Sequence, residues 1–178
     1  MRAKSACFSV AAAAGVALVA GACASTPDPA RYTLIGLPDR GQFSDNTMGV
    51  HVFLEKQCGT LDCHGQVGRP FRLFSQFGLR AALDDGGPNL PGGPVADTDA
   101  EIYANYLSLI GLEPEEMSRV VAGQDPPTFL LVVKKPRGLE SHKGGIRFHE
   151  GDDADVCLTG WLGGQFVPQA CMNALMLP

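Results

Sequence analysis

The run Cys58-Gly-Thr-Leu-Asp-Cys63-His64-Gly65 limits this chain more than any other segment. Two thiols with four residues between them, followed at once by an imidazole, need a turn that gathers three reactive side chains into one place. Val50, Phe53, Leu54 and Cys58 recur at helical spacing just before it, so a helix opening near Asn46-Thr47 is expected to lead into that turn. Gly59 is the residue that lets a wide turn adopt a positive φ.

The remaining cysteines belong to separate contexts. Arg2 and Lys4 precede an apolar run from Val10 to Ala20 that is too short for an ordinary membrane-spanning helix, and small residues follow. Residues 1–22 therefore read as an export signal, which takes Cys7 with it. Val19-Ala20-Gly21-Ala22-Cys23 resembles a bacterial lipobox, with Ala20 where Leu is usual, and Cys23 is the expected lipidation site. Cleavage after the Ala20-x-Ala22 pattern is the simpler alternative. Several acyl chains on one residue hold a protein on a membrane, whereas a single chain does not. Cys58, Cys63, Cys157 and Cys171 are left as an even set in an oxidising compartment.

Charge excludes one class of partner. Of 14 basic side chains the signal removes Arg2 and Lys4, and it removes none of the 19 acidic ones. A net-acidic exported chain without a basic tract is not expected to bind nucleic acid. Residues 23–44, punctuated by Pro27, Pro29 and Pro38, read as a tether and lead-in loop, and residues 45–178 as one mostly α-helical domain with long irregular loops. Within it, Arg69 to Arg80 reads as extended or irregular, and Asp84 to Val95 as a Gly/Pro loop. Thr98 and Glu101 form a capping box, and Glu113-Pro114-Glu115-Glu116 starts a helix reaching about Val121. Phe129 to Val133 is short enough for either strand or helix, and Pro136 ends it. Ala154, Cys157, Leu158, Trp161 and Leu162 form a last helical stripe between Asp152-Asp153 and Gly163-Gly164.

The ending Cys63-His64 is that of c-type haem attachment, where two thiols bond the porphyrin and the adjacent imidazole ligates iron. The usual spacing leaves two residues between the thiols, not four. Three readings stand side by side: covalent haem, a small disulfide between Cys58 and Cys63, and zinc on Cys58, Cys63, His64 and His142. Cys157 and Cys171 would pair in the disulfide reading, which makes the chain a haem-free, disulfide-stabilised envelope lipoprotein of the same fold that binds a partner or assembles a complex. Asp152, Asp153 and Asp155 lack a calcium loop's central glycine and read as helix capping. No nucleotide loop, Gly-x-Ser-x-Gly or His-Glu-x-x-His is present, so a carrier or binding protein is expected rather than an enzyme.

In order of elements the chain resembles a class I cytochrome c domain from about Thr47 to Gly164. An apolar helix precedes Cys…Cys63-His64-Gly65. An Arg/Leu-rich segment ends near Gly78-Leu79-Arg80, and Leu130-Leu131…Lys134-Lys135-Pro136 follows. His142-Lys143-Gly144-Gly145 and a helix with Trp161-Leu162 complete the order. The resemblance implies one haem c on Cys58 and Cys63, His64 as proximal iron ligand, and single-electron exchange with a redox partner protein. His142 is the expected second axial ligand, with Met117 a weaker candidate that reads as core. His51 and His149 read as solvated imidazoles, and Trp161 as core packing on the haem or the first helix. Lys134, Lys135, Arg137 and Lys143 form a small basic cluster, read as solvated surface ahead of a docking or propionate-balancing role.

Overall fold

The computed structural model describes residues 36–82, 89–92 and 96–176. The expected signal (1–22), Cys23 and most of the expected tether lie outside the described residues. Seven α-helices occur among the described residues, with no strand beyond an isolated parallel bridge between Phe74 and Leu79. The mostly helical expectation holds. No helix among the described residues is long and apolar enough to cross a membrane.

The lead-in is not a loop up to Ser44. Helix α1, Arg40–Ser44, is capped by Asp39, whose carboxylate accepts the Gln42 amide at 2.7 Å. Its Phe43 is fully buried, with ring centroids 5.3 Å from Trp161 and 5.5 Å from Tyr106. The Trp161 indole N–H donates to the Asp39 carbonyl at 2.7 Å and the Tyr106 hydroxyl to the Pro38 carbonyl at 2.8 Å. Buried Trp and Tyr seek partners for their polar tips, and here the lead-in backbone supplies them.

Helix α2, Val50–Cys58, starts later than Asn46-Thr47. Asp45 Oδ1 accepts the Thr47 and Met48 amides, and this Asx turn holds the chain out of helix until Gly49. The predicted face, Val50, Phe53 and Leu54, is buried. His51 and Glu55 are buried as well, so α2 is covered on more than the one side that its apolar spacing indicates.

Helix α3, Asp99–Ile110, has both halves of the Thr98/Glu101 capping box. Glu101 also takes both ends of the Arg80 guanidinium at 3.0 Å and the Ala81 amide at 2.7 Å, tying the irregular Arg69–Arg80 segment to the start of α3. Helix α4 spans Pro114–Val121 and buries Met117 and Val120. A 3-10 turn, Pro127–Phe129, and the one-turn helix α5, Leu131–Lys134, resolve the short apolar run as helical.

Helix α6, Asp153–Leu162, carries the predicted stripe. Asp152 is its N-cap residue and Asp153 and Asp155 stand in its first turn, but no side chain makes a capping bond: Asp152 accepts the His149 amide, Asp153 the Asn173 side chain, and Asp155 is in a buried ion pair with Arg137. A further helix, α7, Pro168–Ala174, packs on α6 and α2. The Cys157–Cys171 disulfide fastens α6 to α7. Trp161 is core, but it lies against Phe43 and Tyr106 from the lead-in and α3.

Candidate functional site

Helix α2 ends at Cys58, and the Gly59 amide caps it on the Leu54 and Glu55 carbonyls, both at 3.0 Å. Thr60 then accepts the Cys63 amide at 3.0 Å and the Gly65 amide at 2.9 Å, while the Cys58 carbonyl accepts the His64 amide at 2.9 Å. The four extra residues are thus one hydrogen-bonded turn that folds back onto the helix end. Gly59 has φ −82°, so positive φ is not what the turn requires of it. A side chain there would strike Glu55 O and Ser75 Cβ. Gly65 and Gly78 meet directly behind it, where a Cβ on Gly65 would come within 2.8 Å of the Gly78 Cα. Leu73 N to His64 O and Leu79 N to Gly65 O, each 2.9 Å, close the turn against the following segment.

In front of the turn is a cavity of about 380 Å³, within the range of small-molecule and cofactor sites. Leu54, Phe71, Leu112, Leu131, Phe148 and Leu158 make its apolar walls. Cys58, His64 and His142 line it too. Cys63, half-buried, sits on the turn and is not part of the wall.

The imidazoles of His64 and His142 face this space as a pair, with ring centroids 6.1 Å apart and planes within 17° of parallel. Each ring has its Nδ1 against a backbone carbonyl: Phe71 O at 2.7 Å for His64 and Gly145 O at 2.8 Å for His142. A carbonyl only accepts, so Nδ1 carries a proton on both rings, and in the neutral tautomer it is Nε2 that keeps the lone pair. Gly145 reaches its ring by turning to φ +70°, which a side chain would resist. Burial holds His64 below the usual histidine range, and the neighbouring His142, Arg69 and Lys135 add to it, against the raising effect of the Phe71 carbonyl. His64 is therefore neutral at pH 7, the form that ligates metal.

Cys58 and Cys63 are free, so the disulfide expected as one alternative between them is absent, whereas the Cys157–Cys171 pair is formed. Burial pushes the Cys58 thiol up to about 12. No group of three or more His, Cys, Asp or Glu among the described residues is placed to hold a metal ion. This removes the zinc reading.

Other sequence candidates sort as follows. Met117 is in the core and is not in the cavity wall. His149 is exposed, as expected. His51 is not: it is 3% exposed, with Nδ1 2.8 Å from the Phe43 carbonyl, because α1 folds over it. The basic cluster divides. Lys135 and Lys143 line the cavity, Arg137 turns to Asp155, and Lys134 lies over the Phe129 ring at 5.5 Å. Every charged residue in the wall is basic, Arg69 completing the set. Arg69, Phe71 and Phe148 went unassigned by spacing, since each comes from an irregular segment without periodicity. Compared with family models, curated proteins and solved structures, the chain matches none of them.

Proposed function

We propose that this chain is a c-type cytochrome-like electron carrier, in which Cys58 and Cys63 would attach one haem c and His64 and His142 would ligate its iron. The observation that carries the reading is the imidazole pair. Imidazole nitrogen bonds such metals at about 2.0–2.1 Å and the ring centre lies about 1.1 Å behind it, so two rings sharing one metal stand roughly 6.3 Å apart. The measured 6.1 Å fits that separation.

When bound, the haem supplies a reversible one-electron couple. The residues around it do the rest. Nδ1–H bonds to Phe71 O and Gly145 O fix both tautomers and ring orientations and strengthen the rings as donors. Fixed in this way, both rings would move little when the charge at a bound metal changes. Leu54, Leu131, Phe148 and Leu158 keep water from the metal position, and Arg69, Lys135 and Lys143 offset negative charge at the cavity. The export signal and Cys23 extend the proposal to a lipid-anchored carrier in the cell envelope, exchanging electrons with a redox partner protein and not with nucleic acid.

The test is expression of the full chain in an exporting host that matures c-type cytochromes, beside a known cytochrome as control. A Soret band and an intact mass increased by one haem are expected, and both are lost in the Cys58→Ala, Cys63→Ala double variant. A colourless chain with the polypeptide mass alone, from cells that mature the control, would overturn the reading.

A further inference from the structure

A second polar cluster lies between α2 and α3, apart from the cavity wall. Glu55 of α2 is 6% exposed, and its carboxyl is hydrogen-bonded to that of Asp97, just ahead of α3. Two ionised carboxylates have no hydrogen to place between them, so this bond needs a proton on one partner. Asp97 Oδ1 shows the same want of a donor, being buried without a hydrogen-bond partner. Arg80 does not supply it. Its Nε stands 3.7 Å from Asp97 Oδ1, beyond hydrogen-bond reach, while Nε and a terminal nitrogen go to Glu101 at 3.0 Å.

The charged groups that face Glu55 are Asp97 and Glu101 at the start of α3 and Arg80 from the irregular segment. His51, one turn earlier on α2, faces Asp97 and Asp45, and burial holds it below the usual histidine range. Arg80 is thus set among three acids, and a proton held between Glu55 and Asp97 lowers the buried negative charge. Fully buried Asn105 joins this pair to the site. Its Nδ2 donates to Glu55 Oε1 at 3.3 Å and to the Phe74 carbonyl at 2.7 Å, and its Oδ1 accepts the Phe74 amide at 2.6 Å. Phe74 belongs to the short segment whose Phe71 carbonyl orients His64 and whose Ser75 hydroxyl donates to the Gly59 carbonyl at 2.6 Å.

We propose that Glu55 and Asp97 share one proton and, with Asn105, form a pH-sensitive latch that keeps the Phe71–Ser75 segment against the Cys58–Gly65 turn. The latch is closed while the proton is held and opens as rising pH removes it. With both carboxyls ionised, like charges repel across α2 and α3, and water enters to solvate them. Asn105 then loses its fixed place between Glu55 and Phe74, and the Phe71 carbonyl its fixed place on His64. The latch is built from the protein's own groups and does not rest on the haem reading.

Carbon-13 resonances of the full chain between pH 6 and pH 11 test this, in the haem-free chain or, if only the haem-loaded chain folds, in its reduced form. The Glu55 carboxyl is expected to keep its protonated position past pH 8 and to move above it. The Phe71 and Phe74 carbonyls should move with the same midpoint, while Leu162, buried in α6, does not. Glu55→Gln keeps the hydrogen bonds without the ionisation and should abolish the joint step. Asp97→Asn removes the like charge and should lower the midpoint by at least one pH unit, about a tenfold change in proton affinity. Titration of Glu55 in the ordinary carboxylate range overturns the proposal. So do Phe71 and Phe74 signals that stay still or move only together with Leu162, a joint step that survives in Glu55→Gln, and an unchanged midpoint in Asp97→Asn.

Discussion

Replacing Asp155 by alanine would leave the Arg137 guanidinium buried and unanswered. The two side chains are 8% and 4% exposed, and Asp155 takes Arg137 Nε and one terminal nitrogen at 2.7 Å each. The same carboxylate accepts the Gly151 amide at 2.9 Å. Glu150 is no substitute, being 84% exposed and 3.8 Å away. Breaking one side of a buried pair costs about 3–5 kcal/mol, whereas exchanging both partners for apolar residues is often near neutral. Asp155→Ala is therefore expected to lose about 3–5 kcal/mol, and Arg137→Met with Asp155→Leu under about 2 kcal/mol. The pair also closes the base of the loop that carries His142, together with the Arg147 amide on the Pro136 carbonyl at 2.8 Å. Urea denaturation measures the stability change, and amide exchange across residues 138–149 should speed up in Asp155→Ala. A loss below about 1 kcal/mol, or equal losses in the single and double variants, would refute this reasoning.

Two further outcomes follow from the helices behind the site. The Cys157–Cys171 bridge closes a sequence separation of 14, so changing both cysteines to alanine should cost about 3 kcal/mol and lower the melting temperature by roughly 10 °C; a shift below about 3 °C in calorimetry would argue against it. Burial, then the bond to and charge of Asp97, raises Glu55 to about 10 in the fold. The folded chain thus holds an extra proton between the ordinary carboxylate range and that value, and the corresponding stability is full in acid and drains as pH rises across the window. Glu55→Gln should flatten the fall in melting temperature between pH 5 and pH 9, and parallel curves for the two proteins would contradict this.

What the sequence made legible was local. The Thr98/Glu101 capping box, the Pro114 helix start and the α6 stripe each depend on residues within a few positions, and all three are present. Helix α1 escaped because its five residues are too few for periodicity and its one core contact, Phe43, meets Trp161 and Tyr106 from distant segments. Helix α7 had a readable sign in Pro168 at its first turn, and its tie to α6 is the long-range Cys157–Cys171 bridge, which spacing does not reveal. His51 looked solvated because nothing near it in sequence reveals that α1 covers it. In the site, motif spacing singled out Cys58, Cys63, His64 and His142, while Arg69, Phe71 and Phe148 emerged only where irregular segments meet. Gly59 does belong to the turn, but close approach of backbones decides it there, not φ.

The sharing of one iron by His64 and His142 is tested most directly by low-temperature electron paramagnetic resonance of the ferric, haem-loaded chain. Axial rings within 17° of parallel remove the near-degeneracy of the iron orbitals that face them, so a low-spin signal of rhombic shape is expected. In His142→Ala it should give way to a high-spin signal. A high-spin spectrum from the unaltered chain, or a low-spin one that His142→Ala leaves unchanged, would contradict the assignment.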